Sequence, residues 1–80
     1  MVIQMQYIRI KNLREDHDIK QIQLANYLGC SQNTYSDYER GKINIPVDML
    51  IKIADFYNVS LDYLTERTDN PNIYKRTQIK

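Results

Sequence analysis

Eighty residues suffice for one small domain. Eleven Lys and Arg against ten Asp and Glu leave a net charge of +1, which excludes an overtly basic nucleic-acid coat and an acidic solvating tail. Only two glycines and two prolines argue against an all-β fold, and 42% hydrophobic with 26% charged residues is a globular mix rather than a disordered one.

Tyr7, Ile10, Leu13 and Arg14 make one helical stripe, which predicts a first helix from about Met5 to Asp16. Asp18 ends it, since a short polar side chain tolerates the left-handed conformation. Lys20 to Leu28 is a second, short helix with Leu24, Ala25 and Leu28 inward, and Gly29 follows where a helix end favours positive φ. Ser31 is a good N-cap for a third helix, Gln32 to Arg40, with Tyr35 and Tyr38 inward and Gly41 as its stop.

The loop 41–45 leads to Pro46, a residue favoured in the first turn of a helix. The fourth helix is Val47 to Tyr57, with Leu50, Ile53, Ala54 and Tyr57 on one face and Asn58 closing it. Ser60 caps a last helix, Leu61 to Thr65, with Asp62 suited to the dipole of its first turn. After Glu66 the pattern stops. The expectation is an all-α, five-helix domain over 1–66 with a tail over 67–80.

The lone cysteine, Cys30, has no internal disulfide partner and fits a reducing compartment, where it reads as a buried, inert thiol. No apolar run approaches the ~20 residues of a membrane span. Met1 to Ile10 has no signal-peptide pattern, so a soluble cytoplasmic protein is expected. The single histidine, His17, has no metal-type residue at ligand spacing, and neither a catalytic set nor a glycine-rich phosphate loop is apparent. The reading is therefore not an enzyme, with no metal and no cofactor.

Residues 21–40 carry the most specific pattern. Counting Gln21 as position one, Leu24, Leu28, Cys30, Tyr35 and Tyr38 fall at 4, 8, 10, 15 and 18. Two helices crossing through a short turn need a small residue at the contact and a positive-φ residue in the turn. Ala25 and Gly29 meet those needs, and a helix-turn-helix pair follows.

Ile19-Lys20-Gln21, Leu24-Ala25, Leu28-Gly29, Ser31, Tyr38-Glu39, Gly41-Lys42 and Pro46 resemble the lambda-repressor-like, Cro/CI-type (XRE) family of transcriptional regulators. The similarity continues through Leu50 to Ala54 and Asn58 to Leu64, and covers about residues 7–65. It implies a compact five-helix domain that binds operator DNA as a dimer, with 32–40 as recognition helix.

A recognition helix places its N-terminal residues on base edges in the major groove. Gln32, Asn33, Ser36 and Asp37 point away from the Tyr35/Tyr38 face and are the base-reading candidates. Gln and Asn pair bidentately with adenine, while a carboxylate accepts from cytosine N4 or holds a neighbouring Arg. Lys20, Gln21, Ser31, Arg40, Lys42 and Asn44 are candidates for phosphate contact or bracing. The resemblance also implies an ion pair between Arg14 and Glu39.

Two functions compete. One is a sequence-specific, double-stranded DNA-binding regulator, a repressor, that dimerises through Leu61 to Glu66. The alternative is a protein-interaction module, such as an antitoxin or anti-activator with a polypeptide partner. Charge is unevenly spread: residues 43–66 hold one basic and four acidic groups, net −3, and 67–80 hold four and one, net +3. Few cations near the DNA face mean few phosphate neutralisations and a shallow salt slope, to which Lys75, Arg76 and Lys80 of the tail would add.

Overall fold

In the computed structural model, which describes residues 6–73, the chain forms five helices: α1 (Ile8–Asp16), α2 (Gln21–Leu28), α3 (Gln32–Arg40), α4 (Val47–Tyr57) and α5 (Leu61–Leu64). No strand occurs among the described residues. Ile10, Leu24, Leu28, Tyr35, Ile53 and Leu64, drawn from all five helices, are the largest fully buried side chains. Burying each aliphatic one is worth roughly 1.5–3 kcal/mol.

The α2–α3 pair has the most extensive packing in the fold. Ala25, with no exposed surface, lies in the core with Leu24, Tyr35 and Tyr38. Gly29 has φ +77, and the Cys30 N–H closes the turn on the Ala25 carbonyl at 3.0 Å. A Cβ at Gly29 would meet nothing within 4 Å, so the need for glycine there is purely conformational. Gly41 differs: φ is +73, and a Cβ would stand 2.9 Å from the Cβ of Gln6. The other left-handed residues are Asp18, Asn58 and Glu66. Asn58 ends α4 with the Val59 N–H on the Ala54 carbonyl.

Some expected boundaries shift. Tyr7 has non-helical dihedrals, so α1 begins at Ile8 and not near Met5, which itself lies outside the described residues. The cause is tertiary, because Gln6 Nε2 donates to the Glu39 carbonyl at 3.1 Å and the chain is drawn across the end of α3. Lys20 is the N-cap of α2 rather than its first residue, and its N–H bonds to the Gln23 side chain at 2.8 Å. Thr65 is the C-cap of α5. Cys30 is half-buried rather than buried, and burial raises its thiol pKa.

Residues 67–73 have no helix or strand, but they are tied to the domain. Arg9 donates to the carbonyls of Tyr63 and Thr68 at 2.9 and 2.8 Å and to Asp69 Oδ1 at 3.2 Å. Its guanidinium lies 4.2 Å from the centroid of the Tyr63 ring, a cation–π contact. The Ser60 N–H donates to the Pro71 carbonyl at 3.0 Å. No helix among the described residues is long and apolar enough to cross a membrane.

Candidate nucleic-acid interface

The candidate surface is the outer side of α3 together with the start of α2 and the loop after α3. Tyr35, Tyr38 and Glu39 face inward and are buried, which turns Gln32 and Asn33 out to solvent. Ser36 and Asp37 are half-buried on the flank of the same helix. Ser31 caps α3: its Oγ accepts the Thr34 N–H at 3.1 Å and donates to Thr34 Oγ1 at 2.9 Å. The Ser31 hydroxyl is thus already used to start α3.

Behind this surface sits a buried charge cluster. Glu39 is only 3% exposed. Its carboxylate accepts from Arg14 Nε at 2.6 Å, Arg14 Nη2 at 3.2 Å, the Tyr35 hydroxyl at 2.5 Å and Gln21 Nε2 at 3.2 Å. Arg14 Nη1 also donates to the Ile19 carbonyl at 2.8 Å. Burial pushes the Glu39 carboxyl pKa up, but the bonds from Arg14, Tyr35 and Gln21 outweigh it and hold the pKa below its ordinary value. The Arg14 pKa is raised, first by its bond to Glu39. A buried carboxylate paired and bonded in this way joins α1, α2 and α3 at one point.

Gln21 is brought into that cluster with one amide N–H on Glu39, which leaves its second N–H and its carbonyl oxygen for other partners. Asp37 and Arg40 are joined at 3.0 Å, so each compensates the other's charge on α3. Lys20, Arg40, Lys42 and Asn44 are exposed. Lys42 also closes the end of α3, with its backbone N–H on the Asp37 carbonyl at 2.9 Å. No group of three metal-ligating side chains occurs among the described residues.

Sequence reasoning missed Arg9 and Gln6 as tertiary anchors, and it missed the Tyr35 hydroxyl as a donor to Glu39. The last was available, since positions 35 and 39 are one helical turn apart. The first two bond across 54 and 33 residues and carry no local signal.

The order and geometry of α2, turn and α3 define a helix-turn-helix domain. The family model described as Helix-turn-helix matches residues 10–64, and the chain belongs to that XRE-type family. It is 36% identical over 64 residues to an uncharacterized HTH-type transcriptional regulator, YobD, of Bacillus subtilis (strain 168), covering 80% of this chain and 57% of that protein. It is 32% identical over 72 residues to the cryptic phage CTXphi transcriptional repressor RstR of Vibrio cholerae, covering 90% of this chain and 64% of that protein.

The antitoxin PezA of Streptococcus pneumoniae serotype 4 (strain ATCC BAA-334 / TIGR4) is 37% identical over 51 residues, 64% of this chain and 32% of that one. The chain thus spans less than two thirds of the length of these relatives. A crystal structure of a transcriptional regulator from Listeria innocua has the same fold, with a TM-score of 0.71 at 23% identity over 98% of this chain and 68% of that chain.

Proposed function

We propose that the protein is a sequence-specific, double-stranded DNA-binding transcriptional regulator that acts as a repressor. The observation that carries this reading is the two-sided character of α3. Its inner face is locked by buried Tyr35, Tyr38 and Glu39, and its outer N-terminal face offers the exposed amides of Gln32 and Asn33. In the major groove those amides would each bond adenine N6 and N7, with Ser36 reading from the flank. Asp37 either accepts from cytosine N4 or, paired as it is, aims Arg40 at the backbone.

Gln21, steadied by Glu39, would direct its free N–H to a phosphate. Lys20, Ser31, Lys42 and Asn44 would complete the backbone contacts. A homodimer through α5 and its surroundings would set two α3 helices about 34 Å apart on a near-palindromic site. The relatives named as regulators and repressor support the regulatory role. The test is selection of bound fragments from random or genomic DNA. Recovery of a site with two half-sites one helical turn apart supports the reading, and recovery of no preferred sequence at low salt contradicts it.

A second reading is supported by the similarity to the antitoxin PezA. On that reading the domain is an interaction module whose main partner is a polypeptide. A stoichiometric protein partner together with no retained DNA fragment would favour it.

A further inference from the structure

Residues 60–73 begin at the N-cap of α5 and run past that helix to the last described residue. Their own hydrogen bonds close on one another. The Ser60 N–H donates to the Pro71 carbonyl at 3.0 Å, and the Leu64 N–H to the Ser60 carbonyl at 3.1 Å. The Arg67 N–H donates to the Asp62 carbonyl at 2.8 Å, and the Thr65 hydroxyl to the Leu61 carbonyl at 2.9 Å. Among the described residues, every hydrogen bond between this segment and residues 6–59 is made by one side chain, that of Arg9.

Arg9 grips the segment at both ends of a turn. Nη1 is shared between the Tyr63 carbonyl, in the last turn of α5, and the Thr68 carbonyl, while Nη2 reaches Asp69 and the guanidinium lies over the Tyr63 ring. Leu64, with no exposed surface, and half-buried Leu61 supply the apolar attachment to the core. A helix of four residues has no stability of its own, so α5 stands only while these contacts hold. Glu66 opposes closure, since its φ of +67 is a conformation that a residue with a Cβ rarely adopts. Ile73, at the far end, lines a cavity of about 330 Å³ with Ile51, Ala54 and Leu61, so the segment also builds the α4–α5 side of the domain.

We propose that residues 60–73 open and close as one unit, locked by Arg9 and Leu64, while α1 to α4 stay folded, and that Arg9 is the positioning residue of the α5 side. A segment with few buried contacts opens at a lower free energy than the core it leaves. Here the covalent junction at Val59 and Ser60 serves as the hinge. Opening removes α5 and the Ile73 wall of the cavity together. A second copy that seats on α5 selects the closed unit, so its apparent affinity scales with the closed fraction. That consequence rests on the dimer reading, whereas the unit itself does not.

The test is amide hydrogen exchange of the full chain in dilute solution, read by NMR, with Arg9→Met, Arg9→Lys and Tyr35→Phe beside the parent. Ser60, Leu64, Thr65 and Arg67 report the unit, and Leu28 and Tyr38 report α2 and α3. In the parent the four unit amides should share one opening free energy, below that of Leu28 and Tyr38. Tyr35→Phe removes a contact that survives the opening, so it should leave the four rates unchanged while Leu28 and Tyr38 accelerate. Arg9→Met should accelerate all four by one common factor of at least about tenfold, since it deletes bonds from a charged group. Arg9→Lys keeps the charge but not the fork that spans two carbonyls, and should give a smaller factor. Four unit amides that accelerate in Tyr35→Phe as much as Leu28 and Tyr38 would overturn the proposal, because the segment then opens only with the whole domain; this comparison decides even where Arg9→Met fails to fold. An Arg9→Met effect confined to Ser60 would also overturn it, because residues 67–73 then detach without α5. The measurement involves no DNA, so its failure is separate from a failure of the regulatory reading.

Discussion

Arg14 and Glu39, 25 residues apart in the sequence, meet at 2.6 Å between Nε and Oε2, and the carboxylate is almost wholly buried. This contact fixes the end of α3 to α1, and through Gln21 it also fixes the start of α2. The outer face of α3 is held in place from behind by this charge cluster.

Removing Arg14 leaves a buried carboxylate without its cation. Arg14→Met should therefore cost about 3–5 kcal/mol, a large share of what a domain of this size can lose. Replacing both partners, Arg14→Met with Glu39→Leu, should cost less than the single change, because no uncompensated charge remains. Urea denaturation of the two variants and the parent checks the order. A single variant as stable as the double would contradict the buried-pair reading.

The same cluster sets an acid limb. The Glu39 carboxyl titrates below its ordinary 4.5 in the folded chain. The folded state therefore binds that proton less readily than the unfolded state does, and the stabilisation is complete above about pH 4.5 and lost as pH falls through the folded value. At the other end, burial pushes the Tyr57 hydroxyl up to about 12 and raises that of Tyr35 above its ordinary 10. The unfolded chain gives up these protons first, so stability falls as pH rises past 10. Melting temperatures across the pH range should show both limbs, and Glu39→Gln should flatten the acid one.

Two buried tyrosine hydroxyls should respond oppositely to removal. The Tyr35 hydroxyl donates to Glu39 at 2.5 Å, whereas that of Tyr57 is buried with no hydrogen-bond partner among the described residues. Tyr35→Phe should cost about 1.5–3 kcal/mol, the worth of a bond to a charged group. Tyr57→Phe should be neutral or stabilising, because it deletes a polar atom that is buried without return. Equilibrium unfolding of both variants gives the comparison.

The two glycines separate conformation from space. Gly29→Ala meets only the penalty of a left-handed backbone, about 1–2 kcal/mol. Gly41→Ala adds a contact 2.9 Å from the Gln6 Cβ and should be the more damaging of the two. Thermal melts of the pair decide, and equal losses would show that the approach of Gln6 relaxes freely.

The bounds of α3 and α4 were legible because their signals are local: Ser31 and Gly41 at the ends of one, Pro46 and Asn58 at the ends of the other. The start of α1 was not, because the apolar spacing runs helically through Tyr7 while Gln6 is drawn out to the far end of α3. On the candidate interface, the exposure of Gln32 and Asn33 follows from the inward Tyr35 and Tyr38. The coupling of Gln21 to Glu39, and of Asp37 to Arg40, concerns how side chains share partners, which residue type and spacing alone leave open. Arg9 was the least legible, since a charged residue on a half-exposed helix gives no sign of the two carbonyls it holds near the other end of the chain.

The most direct measurement compares Gln32→Ala with the parent on a selected operator and on a set of its single-base-pair variants, by fluorescence anisotropy at fixed salt. If Gln32 reads a base, the parent should discriminate by about 1–3 kcal/mol at one position, and Gln32→Ala should lose that preference there while keeping the others. Gln32→Ala binding every variant with the preferences of the parent would contradict base reading by the N-terminal face of α3.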